Sequence, residues 1–351
     1  MKGRSFAQFT APSVLLMLGL LALPLLMTFW LSVRNCTPDL VLASVQVTGP
    51  FGSQTMVTQR ARVDANGRAL ETCRFVGLDY YRKLLGLPTE GDAKATAAPA
   101  TAATAANAAN AAHAAVAAVA AKPHNEFLSA LQFTLVYTLA TTPFVLGGGL
   151  LLALAVNRAT RALRGTFIAA SLLPFIITPV VGALAIKWLF RDNGLVPHLL
   201  SQVGVQVFWM AEAWSARLLI ILYGVWHVLP FAFIVFYAGL QSVPQDSLEA
   251  AMLDGASATQ RLRHVVLPHL MPLLVFVLMI HLMDAYRVFE PVLVLTQGAF
   301  TARVQYLTYY VLLEENNPFK ASAAAVLTLL GIALLLIPLL RRTWREQRQG
   351  F

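Results

Sequence analysis

Four ionisable residues, His281, Asp284, Arg287 and Glu290, recur every three positions in an otherwise apolar run. That spacing puts them near one face of a helix, drifting slowly around it. Charges inside such a run are expensive and face a bundle interior or a water-filled cavity. Two chemistries suit the set. The polar groups can line a solute path and exchange hydrogen bonds with a polar solute. Alternatively, Asp284 and Glu290 neutralise Arg287 in a purely structural ion-pair ladder. Trp226, His227, Tyr237 and Tyr286 add aromatic faces that suit stacking on a solute, and equally suit core packing or an interfacial belt.

Other chemistries find no residues to carry them. The chain has no GxxxxGK[ST] phosphate loop, so it does not bind ATP as a transport ATPase does. Two cysteines and seven scattered histidines show no metal spacing. His264 and His269 flank Leu267-Pro268 and read as loop surface rather than a metal pair. No nucleophile stands beside a base. The net charge of +9 is not a nucleic-acid footprint, because the arginines cluster beside apolar runs.

A second pattern lies between two long apolar runs. Residues 241–267 read QSVPQDSLEAAMLDGASATQRLRHVVL, with Pro268 next. Leu248, Ala251, Met252 and Gly255 follow the spacing of one helix face. Asp246 with Glu249, and Ser257 with Gln260, have the form of helix starts. Gly255 stands where the chain must turn. The stretch predicts two short helices around a glycine, a small structured knob outside the membrane.

The elements that position these residues are membrane spans. Hydrophobic residues make up 58% of the chain and charged residues 12%, half the usual charged share of a soluble domain. Mean hydropathy is +0.65. Six runs, near 12–33, 128–156, 166–190, 217–240, 269–295 and 321–340, approach the ~20 residues needed to cross hydrocarbon. The expected fold is an all-α polytopic membrane protein with six transmembrane helices. The first run reads as a retained helix, since Pro24, Phe29 and Trp30 make a poor cleavage site. Pro174, Pro179 and Pro230 interrupt spans and mark kinks.

Arginine placement orients the chain. Arg158, Arg161 and Arg164 follow the second span, and Arg341, Arg342, Arg345 and Arg348 follow the sixth. The loops holding Arg191 and Arg303 carry one arginine each. The richer loops are expected in the cytoplasm, with both termini and the Glu249 loop.

The expected division is a first segment and helix over 1–34, an external insertion over 35–125, a core of five helices over 126–340 with the loop 241–268, and a basic tail over 341–351. The insertion begins with alternating, β-branched stretches from Val41 to Val63, and Asp64-Ala65-Asn66-Gly67 ends in a hairpin signal. A small β-rich subdomain follows from that pattern. Residues 95–121 are low-complexity, with 18 of 27 residues alanine, and read as a linker. Cys36 and Cys73 lie on either side of the β-rich segment, and an even count outside the cytoplasm suggests that they pair.

The loop also carries a family resemblance. Glu249-Ala250-Ala251, Asp254-Gly255-Ala256 and Leu267-Pro268 resemble the EAA loop of permease subunits in binding-protein-dependent ABC importers, in the form of the sugar branch. Phe75 to Tyr81, Leu173-Pro174, Trp226 to Phe231, Ala238 to Pro244 and Val294 to Gly298 are similar to the same branch in order and spacing. The chain departs from it at Gly298-Ala299-Phe300, where a double glycine and proline are usual. The resemblance covers roughly 10–34, 75–87 and 125–340. It implies a bacterial inner-membrane permease paired with a second homologous permease, two ATPase subunits and an external solute-binding protein. It implies no cofactor on this chain, with ATP and Mg used by the ATPase. It also implies that Glu249 makes a polar contact to the ATPase, Asp254 and Gly255 shape the turn, and Leu248 and Met252 enter an apolar cleft. Glycerol phosphate permeases share these motifs. A stand-alone secondary transporter would instead show internal repeats or paired broken helices, and an intramembrane enzyme would need a catalytic constellation.

Overall fold

The computed structural model describes residues 3–49, 52–63, 70–88, 126–301 and 303–349. The alanine tract and the Asp64–Gly67 hairpin signal lie outside the described residues. The described chain divides into two compact units: Met1–Asn125 with Thr308–Leu327, and Glu126–Leu307 with Thr328–Phe351.

The first unit opens with helix α1, Gly3–Ser32. Its 23-residue apolar stretch Thr10–Ser32 contains an 18-residue window with no buried residue. A helix satisfies its own backbone, so such a surface is stable in hydrocarbon. Two antiparallel ribbons follow. Strand β1, Arg34–Pro38, pairs with β4, Glu71–Phe75, and β2, Leu40–Gly49, pairs with β3, Gly52–Ala61. The expected β-rich insertion is therefore present. The β1–β4 register sets Cys36 opposite Cys73, and the two form a disulfide. Asp39 links the ribbons, donating its N–H to the Leu70 carbonyl and accepting from Arg62 N–H at 2.7 Å. A short helix α2, Asp79–Leu84, sends the Tyr81 hydroxyl to within 2.7 Å of Ser32 Oγ.

The second unit is helical. Helices α3, Glu126–Arg158, and α7, Ala213–Gln241, form its central pair. Between them in sequence lie α4, Arg161–Ile176, α5, Pro179–Phe190, and α6, Leu195–Gln202. The central pair packs backbone to backbone. A Cβ added at Gly149 would lie 2.7 Å from Ala232 Cβ and 3.0 Å from the Phe233 nitrogen. Small residues permit this approach, and in lipid such packing, not hydrophobic burial, holds helices together. Val145, Ala153, Phe233, Phe236 and Leu270 fill the core around it. Along α3 the hydroxyls of Thr134, Thr138 and Thr141 donate to carbonyls four residues back, at 2.8–2.9 Å. Their polarity is thereby satisfied without water.

Among the described residues, five helices are long and apolar enough to cross a membrane, and six spans result if one bent pair counts as one. That pair corrects the expectation of a single helix over 166–190. The chain bends by 95° between Ile176 and Pro179. The cause is local: a residue before proline is pushed to extended backbone, and Thr178 takes ψ 143°. Pro179 then opens α5 at its first position, where no N–H is needed. The expected fifth span, 269–295, is also corrected. Helix α10, Leu267–Tyr286, ends at the Arg287 cap, and a separate π turn covers Val292–Thr296. The last elements are α11, Val304–Leu313, and α12, Pro318–Gln349.

Candidate functional site

The knob is two helices around a glycine, continuous with a span. Helix α8, Gln245–Leu253, is followed by Asp254, Gly255 and the four-residue helix α9, Ala258–Arg261. Gly255 has φ +76°, and a Cβ there would meet nothing within 4 Å. Glycine is needed for its backbone angle, not for space. Ser257 and Gln260 form a reciprocal capping box: Gln260 Oε1 accepts from Ser257 N–H at 2.7 Å, and Ser257 Oγ accepts from Gln260 N–H at 3.3 Å. The other expected start is different. The cap of α8 is Pro244, with no side-chain bond, and Asp246 lies inside the first turn. There it favours the positive helix end.

The second arm of the knob does not stop. A π turn over Leu262–Val266 joins α9 to α10 without a loop, so the knob and the span form one element. Leu267 and Pro268 begin α10, with proline in the first turn where its missing N–H does no harm. Side chains brace the base of the knob: His269 Nε2 lies 3.1 Å from Ser242 Oγ, and Gln241 donates to Asn157 Oδ1 at 2.8 Å. His264 Nδ1 meets the Gln260 carbonyl at 3.0 Å, apart from His269.

The knob's surfaces differ. Leu248 packs against the core of the second unit. Met252 is 51% exposed, and Leu253, not singled out by the helical spacing, is 90% exposed. Glu249, Ala250, Asp254 and Gly255 are exposed, and Ala251 is half-buried. Asp254, Gly255, Gln260 and His264 border an open groove of about 320 Å³.

The four-residue polar series does not share one face. His281 is buried at 1% exposure, with Nε2 3.1 Å from Thr141 Oγ1. Asp284 and Arg287 pair at 3.5 Å with both side chains well exposed. Glu290 falls beyond the helix end and joins no ladder. The helix stops at Tyr286, so the spacing of three ceases to mean one face there. Tyr286, read as an aromatic face for solute, is 1% exposed, and its hydroxyl abuts Gly331.

Trp226 and His227 lie on α7 beside the break in the bent pair. His227 Nδ1 donates to the Pro174 carbonyl at 2.8 Å, and the buried Tyr223 hydroxyl donates to the Pro179 carbonyl at the same distance. Phe175 stacks nearby on Phe231 with centroids 5.8 Å apart. Tyr223 and Phe175 escaped notice because they join the others only through the bend.

Arg303, read as a loop charge, is instead fully buried. Its guanidinium lies 3.5 Å above the Tyr137 ring, and Nη1 donates to the Ala285 carbonyl at 3.4 Å. Burial pulls it down to about 10, which still leaves a cation at neutral pH.

Comparison with known proteins places this architecture. Residues 114–349 match the family described as "Binding-protein-dependent transport system inner membrane component". A trehalose/maltose transport system permease protein MalF from Thermococcus litoralis is 37% identical over 152 residues, 43% of this chain and 51% of the relative. The chain thus spans about half the length of that relative. An sn-glycerol-3-phosphate transport system permease protein UgpA from Agrobacterium fabrum is 28% identical over 216 residues, 59% of this chain and 73% of the relative. A solved bacterial ABC transporter involved in alginate import aligns with TM-score 0.58 at 24% identity, covering 63% of this chain and 79% of that one, and so shares the fold. Matched over residues 114–349, and with five or six apolar spans among the described residues, this chain belongs to the binding-protein-dependent transport system inner membrane components.

Proposed function

We propose that this chain is a permease subunit of an ATP-driven importer and forms half of the pathway for a sugar or sugar-like solute. One observation carries the reading: the knob around Gly255 is built as a lever. Its second helix runs through a π turn into α10. A push on the knob would therefore reach the helix that packs beside α3 and α7 without a flexible joint. Hydrogen bonds at its base resist hinging.

The partners follow from that role. Two ATPase subunits, using ATP and Mg, drive the knob; a second homologous permease completes the pathway; an external binding protein delivers solute. Arginine placement sets the termini and the knob in the cytoplasm, and the disulfide-linked ribbons outside. Glu249 offers a polar contact to the ATPase, and the exposed Met252 and Leu253 offer an apolar one. A sugar-type solute is supported by the Thermococcus relative, named for trehalose and maltose. The Agrobacterium relative, named for glycerol 3-phosphate, keeps that solute class as the rival.

The test is reconstitution of the complete transporter in proteoliposomes. ATP-dependent solute accumulation that Glu249→Ala abolishes, with normal insertion, supports the lever. Accumulation that persists without ATP, driven by an ion gradient, would reveal a secondary transporter instead.

A further inference from the structure

Helix α12 does not end with its span. The apolar stretch is Pro318–Arg342, yet the helix runs on, through Pro338, to Gln349. At about 100° per residue, positions 330, 334, 337, 341, 345 and 348 fall on one face of it. The first three are Leu330, Leu334 and Ile337, which are 60%, 75% and 42% exposed. The last three are Arg341, Arg345 and Arg348. Arg341 and Arg345 are exposed. One continuous stripe is thus apolar along the span and cationic beyond it.

The register says what covers this stripe. Whatever lies on the leucines also lies under the arginines. A second helix there would meet a cluster of cations and would need matching carboxylates. A phospholipid offers both halves in one molecule: acyl chains for the leucines, and a phosphate for the guanidinium forks. The depth also matches. Arg348 stands about 10 Å beyond Arg341 along the axis, and the head-group layer is about 5–8 Å deep on each side of the hydrocarbon. Trp344, 62% exposed, sits between them, and tryptophan concentrates in that layer. From 341 to 351 there are four arginines and one carboxylate, Glu346. An orientation signal needs only a count of basic residues, in any conformation. Here an unbroken helix holds them in line with the exposed leucines.

We propose that this stripe of α12 is a binding site for an anionic phospholipid, one whose head group carries no cation, such as phosphatidylglycerol. Its acyl chains lie along Leu330, Leu334 and Ile337, and its phosphate diester lies against Arg341 and Arg345. A zwitterionic lipid brings its own cation to the same height and gains less from the arginines.

The experiment uses the complete transporter in phosphatidylcholine nanodiscs that hold a trace of photoactivatable phosphatidylglycerol. Crosslinking and peptide mapping should label the segment 330–348. Added phosphatidylglycerol should suppress that label about tenfold more effectively than added phosphatidylethanolamine. Glycerophosphoglycerol, the same head group without chains, should leave the label unchanged. A variant with Arg341→Gln, Arg345→Gln, Thr343→Arg and Gln347→Arg keeps the charge count, and so the orientation signal, but moves two arginines to the opposite face. Its labelling should fall about tenfold. Arg341→Lys with Arg345→Lys keeps the charge on the face and should retain most of the label. Equal suppression by the two lipids would overturn the site, as would undiminished labelling of the rearranged variant. Suppression by the free head group would make this a phosphate site and overturn the lipid assignment. A rearranged variant that loses its partner subunits on sizing would assign the stripe to a subunit contact, and the proposal would fall.

Discussion

His227 donates from Nδ1 to the carbonyl of Pro174 at 2.8 Å, across two helices and beside a 95° bend. The bond answers a specific need. Ile177 is extended, with ψ 131°, so the Thr178 N–H cannot reach back to the Pro174 carbonyl as it would in a continued helix. A bare carbonyl in hydrocarbon costs several kcal/mol. The imidazole satisfies it while its ring stays stacked on Tyr223.

His227→Ala should therefore destabilise the bent pair by about 1–2 kcal/mol. The detergent-solubilised protein should melt lower than the parent, with His227→Asn intermediate because its amide can donate. Equal melting temperatures for all three would remove the bond from any structural role.

The turn at Gly255 makes a graded prediction. A side chain at φ +76° has open space but an unfavourable backbone, so Gly255→Ala should cost about 1 kcal/mol and leave transport measurable. Gly255→Pro cannot adopt that angle and should uncouple ATP hydrolysis from uptake in a normally inserted protein. Uptake and ATPase stimulation at parental levels in the proline variant would refute the lever.

Two arginines should respond in opposite ways. Arg287 pairs with Asp284 at an exposed site, so Arg287→Ala should change stability by about 0–1 kcal/mol. Arg303 lies buried against Tyr137, and Arg303→Ala leaves a cavity there, costing about 3 kcal/mol or more. Folded yield, read by fluorescence size exclusion, should be near normal for the first and much reduced for the second. A large loss from Arg287→Ala would restore the buried ladder.

The Cys36–Cys73 bridge closes a loop with a sequence separation of 37 residues. In the chain-entropy model such a bridge stabilises its unit by about 3–5 kcal/mol. Non-reducing peptide mapping should recover the linked peptides, and reduction should make the β1–β4 ribbon protease-sensitive. Labelling of both thiols without prior reduction would exclude the bridge.

Much of this architecture was legible residue by residue. Hydropathy located the apolar runs because a membrane helix must be apolar over a fixed length, though not where the runs 166–190 and 269–295 break. The Ser257–Gln260 capping box and the Gly255 turn were legible because their determinants lie within four residues. Pro174 and Pro179 announced a break, though not its angle. The polar series from His281 to Glu290 misled, because periodicity assumes an unbroken helix and α10 ends at Tyr286. Arg303 misled because a basic residue in a loop is ordinarily solvated, and only the rings of Phe133 and Tyr137, far away in sequence, make its burial possible. The sequence by itself thus determined the elements whose causes are local: spans, caps, the turn and the proline break. Tertiary structure alone decided which polar groups meet. His281 with Thr141, His227 with Pro174 and Arg303 with Tyr137 are joined by helix packing, and no pattern along the chain encodes which faces two helices present to each other.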